Sequence, residues 1–569
     1  MGPKADSTSY SNAAKAQTGL EWLFPLIGVP ILLIGILLFA KSAKDLWILQ
    51  DILPAFLAFS LLLGLSLILG QSKSVVPNAA IALGLLAIVP SLKYGFVYSD
   101  ADAVGHYSAA VQIAQTGSVA GATYRASTVQ YYAATPLLHI LLAMAGLVGG
   151  LRIEATIVCT LFLEHFAILV MVAESARRML PRIERRLIVF LTIMTLPVLV
   201  DITGTTYGLL PVAMLTYVFS TIIGGRGERR HWLVTTAIMV SLIFSHLPTV
   251  VYLLAVVTGY TISLFVIRRL GSRSEVRDAI TDFLPRFLVV FLAWLVYVGQ
   301  DLIYVMQEIV SDLFMLSPFP SAALEFPLTT LLQIELFREG RLLVSTLAAA
   351  AVLLVGLVGR WKTRGFLMFQ LSVMVAIVMG GVVGLGFRFS EIFRYLTYAS
   401  LVAPYFLCLL FSRRHKARLH MLRIKFKAIM LATLVMSMVA AYPITPLYPK
   451  SGGQPILDDN GVNSIYALSG LQYFSSVYSS GRVLTTDAIH WQLMSFHPEL
   501  VRFGWNTIFY GLDTVKSLAE VRARATLVLF HMGGKSGTST LAMRALAPDL
   551  RNALGIVYTN GFFYVALAT

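Results

Sequence analysis

Apolar runs long enough to cross a bilayer recur along most of this chain, and they constrain its fold more than any other feature. A membrane helix needs about 20 apolar residues, and runs of this length read as helices. Inside lipid a helix also satisfies its own backbone polar groups. The runs fall near residues 22–40, 50–70, 77–94, 153–175, 187–200, 208–224, 232–247, 248–267, 285–299, 342–358, 365–386, 392–411 and 428–441. That is about thirteen crossings at the usual span length. With 57% apolar and 13% charged residues and a mean hydropathy of +0.77 over 569 residues, the composition excludes an ordinary soluble helical protein. The expected fold class is a polytopic α-helical membrane protein of about 13 transmembrane helices.

The formal charge of +15 points toward nucleic acid until its distribution is read. The basic residues sit in short loops between apolar runs: Arg177, Arg178, Arg182, Arg185 and Arg186; Arg226, Arg229 and Arg230; Arg268, Arg269, Arg273 and Arg277; Arg360, Lys362 and Arg364; and the run from Arg413 to Lys427. This is the positive-inside pattern, so the partner of these loops is the cytoplasmic headgroup layer and no nucleic acid is expected. Residues 1–21 then form a cytoplasmic tail ahead of a retained first anchor, and the chain is expected in the cell membrane as a multi-pass protein. Cys159 and Cys408 lie far apart in two expected spans and imply no disulfide framework.

With the basic loops inside, three pieces face outward: loop 98–152, loop 300–341 and everything after residue 441. The apolar piece Pro136 to Leu151 cannot be an ordinary crossing, because it would place the Arg177–Arg186 cluster outside. It reads as a juxtamembrane or re-entrant helix at the outer surface. Residues 442–569 change character: Arg482-Val-Leu-Thr-Thr and Ala525-Thr-Leu-Val-Leu-Phe read as buried strands, and the segment from Ile556 as a hairpin turning at Asn560-Gly561. The expected division is a tail at 1–21, a membrane domain at 22–441 and a small extracytoplasmic α/β domain at 442–569.

Just past the third run stands Tyr98-Ser-Asp100-Ala-Asp102-Ala-Val-Gly-His106-Tyr107, with two carboxylates and an imidazole in seven positions at the outer membrane surface. A carboxylate there can take a proton from a hydroxyl or bind a divalent cation through oxygen. His106, four residues beyond Asp102, shares its helix face. The bland alternative makes Asp100 a helix cap and Asp102 a first-turn acid favoured by the dipole, with His139 an idle interfacial histidine. His246, before Pro248, falls at an outer turn, where lining a cavity and merely satisfying the turn are equal readings.

The pattern Asp100-x-Asp102-x-x-x-His106, Gly117, then Tyr132-x-x-x-Pro136-x-x-His139 resembles the first outer loop of the GT-C glycosyltransferase superfamily. That group includes protein O-mannosyltransferases, lipid A aminoarabinose transferases and oligosaccharyltransferases. The likeness covers the whole chain in layout and about forty residues in motif. It implies inverting transfer of a sugar from a polyprenyl (dolichyl) phosphate carrier to a protein, glycan or lipid acceptor on the outer face. Catalytic duty as general base then falls on Asp100 or Asp102; the spacing to His106 favours Asp102, assisted by His106, with Asp100 as co-ligand or partner. The Asp-x-Asp spacing also permits a divalent cation, Mg2+ or Mn2+, held by Asp100 and Asp102. The departing phosphate needs a cation, and Arg394 fits best, steadied by Glu391 one turn earlier, with Arg388 in reserve. Tyr132, His139 and His246 complete the expected substrate-binding set. Loop 300–341 is a candidate cover for the cavity. The oligosaccharyltransferase signature Trp-Trp-Asp-Tyr-Gly is absent, and Phe503-Gly-Trp505-Asn506 does not match it. Transfer of a single sugar is therefore favoured over transfer of a preassembled glycan.

Two other classes compete. A transporter or flippase for a lipid-linked or small anionic substrate would carry its ionisable residues near the midplane, often in two repeated halves. A non-catalytic assembly protein of the cell envelope would tolerate loss of Asp100 and Asp102.

Overall fold

The structure, a computed structural model, describes residues 24–31, 33–34, 61–64, 75–94, 101–119, 135–180, 183, 185–196, 204–221, 229–269, 283–298, 397–412, 448–449, 455–456, 473–474, 476–477, 483–485, 508–510, 517–524, 526–531, 554–559 and 563–567. After a short π-helical turn at Phe24–Gly28, ten helices are defined among the described residues of the apolar part. These are α1 (Val75–Tyr94), α2 (Ala101–Thr116), α3 (Leu137–Gly149), α4 (Ile153–Met179), α5 (Arg185–Thr195), α6 (Gly204–Thr221), α7 (Arg229–Ile243), α8 (Leu247–Arg269), α9 (Phe283–Tyr297) and α10 (Ala403–Ser412). Each of α1 and α4 to α10 overlaps one of the apolar runs. Among the described residues, α4 alone is long and apolar enough to cross a membrane, and the other apolar helices have shorter described stretches. The runs at 342–358, 365–386 and 428–441, and loop 300–341, lie outside the described residues.

Helix α4 is the centre of the bundle, packing against α1, α6, α5 and α3. Glu154 in its first turn and Arg177 and Arg178 in its last suit the helix dipole. Its hydroxyl side chains are satisfied within the helix. Thr156, Thr160 and Ser175 donate to the carbonyls four residues back, at 3.1, 2.8 and 2.7 Å. In apolar surroundings that local bond is what makes a hydroxyl tolerable.

Arg178 is turned inward rather than outward. It donates to Thr221 Oγ1 at 2.8 Å and to the Tyr217 hydroxyl, and its guanidinium lies 4.4 Å from the Tyr217 ring centroid. Its planar fork can stack and donate at once, which fastens the end of α4 to the end of α6.

Helices α3 and α4 meet at a tight corner. Gly150 adopts φ 61°, a left-handed cap, and the Leu151 amide returns to the Gly146 carbonyl at 2.9 Å. A side chain would strain that conformation, so glycine sets the corner.

In the C-terminal part, β1 (Tyr448–Pro449) pairs antiparallel with β2 (Pro455–Ile456). A separate five-stranded sheet holds β3 (Val483–Thr485), β4 (Ile508–Tyr510), β5 (Leu527–His531), β6 (Gly555–Thr559) and β7 (Phe563–Leu567) in the order β4-β3-β5-β7-β6. The β3 pairings to β4 and β5 are parallel, whereas β5–β7 and β6–β7 are antiparallel. The short helix α11 (Leu518–Arg524) leads into β5. Strand β3 falls in, and β5 overlaps, a run that reads as a strand, β6 and β7 form the hairpin, and β4 carries no such pattern in the sequence. Its three residues, Ile508–Tyr510, are too few to show a period-2 pattern.

Candidate functional site

Helix α2 begins at Ala101, so Asp102 occupies its first turn with His106 one turn further on. Asp100 lies outside the described residues, and of Asp102 the backbone alone is described. The face of α2 that bears His106 packs on α3: Tyr107, Ala110, Leu138 and Leu142 share a small core with Ile153, Ile157 and Leu161 of α4, and Tyr207 of α6 packs against it.

Within this corner two predicted residues meet. Nδ1 of His106 lies 2.8 Å from Nε2 of His139, with the rings stacked at 5.0 Å between centroids. Both side chains are buried. One ring nitrogen must donate and the other accept, so the pair holds one proton in the shared bond.

The next residue, Tyr107, donates its hydroxyl to Glu154 Oε1 at 2.9 Å, and Arg152 reaches the same oxygen at 3.2 Å. Burial first, and then the adjacent Glu154 carboxylate, push the Tyr107 phenol well above its ordinary value.

His246 is buried and bonded. Its Nδ1 lies 2.7 Å from Thr249 Oγ1, whose oxygen lies 2.7 Å from the Tyr398 hydroxyl. This is the geometry of a histidine that satisfies its own turn while tying α8 to the segment ahead of α10. The turn is coupled to the histidine pair by backbone: the Leu137 amide donates to the Phe244 carbonyl at 3.0 Å. Gly208 of α6 allows the approach, since a Cβ there would sit 2.2 Å from Thr249 Oγ1.

Tyr132, Arg388, Glu391 and Arg394 lie outside the described residues. Two carboxylates at Asp100 and Asp102 offer the hard oxygen donors that Mg2+ or Mn2+ takes. Among the described residues no three His, Cys, Asp or Glu side chains converge as a metal centre.

One residue escaped the sequence reading. Glu164, in the middle of α4, is 3% exposed and its Oε1 has no hydrogen-bond partner among the described residues. The signal was present, because a carboxylate inside a long apolar run is itself a functional flag. No protein-family model matches the chain, and no curated protein matches it.

Proposed function

We propose that this chain is a GT-C-type membrane glycosyltransferase. It transfers a sugar, with inversion, from a polyprenyl-phosphate donor to an acceptor on the outer face. The observation that carries the reading is the buried contact between His106 and His139. It ties two halves of the recognised motif, 33 residues apart, into one corner with the first turn of α2 at its edge.

In this reading Asp102 is the general base that takes the acceptor's proton as the lipid phosphate departs. His106 fixes the helix face on which it stands, and Arg394, steadied by Glu391, receives the phosphate oxygens. Asp100 is the partner carboxylate and the second oxygen donor for a divalent cation. Helix α3 supports an interfacial position for this corner. Its buried face carries Leu138, His139 and Leu142, while Leu141, Met144, Leu147 and Val148 are exposed on the other side. At 13 residues it is about 20 Å long, too short to cross the hydrocarbon.

The test is transfer by the purified chain in nanodiscs, offered a panel of polyprenyl-phosphate sugars and hydroxyl-bearing acceptors. Asp102→Asn is expected to lower transfer by about 10²–10⁴-fold, the usual contribution of a general base. Equal transfer by both proteins removes the base.

A second reading, a transporter, is favoured by Glu164. A buried carboxyl near the middle of the longest apolar helix among the described residues is where transporters carry coupling groups.

A further inference from the structure

We propose that Glu164 is an exchangeable proton-binding site within the membrane-embedded part of the chain, separate from the outer loop. The inference rests on α4 as a membrane span, and it is independent of sugar transfer.

The hydroxyl and imidazole side chains of α4 have local partners. Thr156, Thr160 and Ser175 bond to carbonyls four residues back, and His165 Nδ1 bonds to the Leu161 carbonyl at 2.8 Å. Glu164 Oε1 does not, although the side chain is 97% removed from solvent. Glu164 lies eleven residues into a helix of 27, which at 1.5 Å per residue puts it about 17 Å from the outer end, near the middle of a 30 Å hydrocarbon layer.

Its surroundings define the ligand. Ile157 and Leu161, seven and three residues earlier on the same face, form the floor of the Tyr107 cluster. Glu164 therefore sits one turn below that floor. From α6, Tyr207 packs against the cluster above. The other titratable groups on the described helices packed against α4 are Lys93 and Tyr94 on α1, Asp102, His106 and Tyr107 on α2, His139 on α3, Tyr217 on α6, Tyr405 and Cys408 on α10, and Arg185 and Arg186 at the start of α5. None of them is a hydrogen-bond partner of Oε1. A metal ion needs several converging donors, and none converge among the described residues. Among the described residues no ion pair reaches Glu164, and a lone carboxyl in such a place resides as the neutral acid, which is to say with a proton bound. A side chain kept only for packing would be leucine, which loses no hydrogen bond on burial.

The experiment compares the full chain with Glu164→Gln in lipid nanodiscs by infrared spectroscopy, with no sugar donor present. The expected result is a protonated-carboxyl band in the wild type that shifts on transfer to D2O and is absent from Glu164→Gln. Glu164→Asp restores such a band. Dicyclohexylcarbodiimide, which modifies buried acids, is expected to label the peptide containing Glu164 and to spare Glu174, which is ion-paired to Arg177. A band that never shifts in D2O marks a sealed structural acid and overturns the proposal. So does the absence of any band that differs between wild type and Glu164→Gln. Where Glu164→Gln fails to fold, labelling of the wild type decides: an unlabelled Glu164 overturns the site. Failure of sugar transfer leaves all these readouts unchanged, so the two proposals fail separately.

Discussion

Nδ1 of His106 and Nε2 of His139 share one hydrogen bond of 2.8 Å in a buried corner. It joins a helix with Asp102 in its first turn to an apolar helix of 13 residues. The two imidazoles should therefore behave as a unit. Replacing either by alanine leaves the other ring nitrogen without this partner, at a cost of about 1–3 kcal/mol. The double replacement is expected to cost less than the sum of the two singles. Thermal melting of the three variants in detergent checks this, and strict additivity would remove the coupling.

The phenol of Tyr107 predicts an alkaline effect. Its folded value is raised by burial and by Glu154, above the ordinary phenol value of about 10. The stability it contributes is therefore fully present below about pH 10 and lost as pH rises toward the folded value. Tyr107→Phe should cost about 1–2 kcal/mol near neutrality through the lost bond to Glu154. It should also flatten the fall in melting temperature at alkaline pH. Parallel alkaline slopes for the two proteins would show that the phenol is not the group responsible.

Gly208 gives a packing test. A Cβ at this position meets Thr249 Oγ1 at 2.2 Å and the Tyr398 hydroxyl at 3.2 Å. Gly208→Ala should destabilise by about 1–3 kcal/mol through overpacking. Thr249→Ala in the same chain should recover part of that loss by removing the obstructing oxygen. A Gly208→Ala protein that melts with the wild type would mean that α6 and α8 are further apart than described.

The corner at Gly150 is set by backbone conformation. Gly150→Ala should cost about 1 kcal/mol, because alanine is strained at positive φ. Gly149→Ala, whose new Cβ meets nothing closer than 3.5 Å, is the control and should be neutral or nearly so. Equal melting temperatures for the two variants would count against the left-handed cap.

Much of the helical layout was legible because burial in an apolar phase leaves a one-dimensional trace. The runs at 77–94, 153–175, 208–224, 232–247, 248–267 and 285–299 each contain a helix whose ends differ from the run by a few residues. The β6–β7 pairing could be read because alternating residues flank Asn560-Gly561. The site was legible only in part. His106 and His139 could be nominated for chemistry but not paired, since a separation of 33 residues carries no distance. Tyr398 and Thr249 gave no signal at all. A hydroxyl in an apolar run reads as an ordinary helical residue, and its partner lies 149 positions away.

The sequence by itself determined which segments are apolar runs, where charge collects between them, and that two acids and a histidine gather after the third run. Periodicity, charge and short spacing are local properties and need no partner to be read. The tertiary structure alone decided that His106 closes on His139, that Arg178 turns inward onto Tyr217, and that Glu164 is left among neighbours that give its Oε1 no hydrogen bond. Those outcomes depend on which helix faces pack together, and the packing is settled by side-chain shape and hydrogen-bond satisfaction between segments remote in the chain.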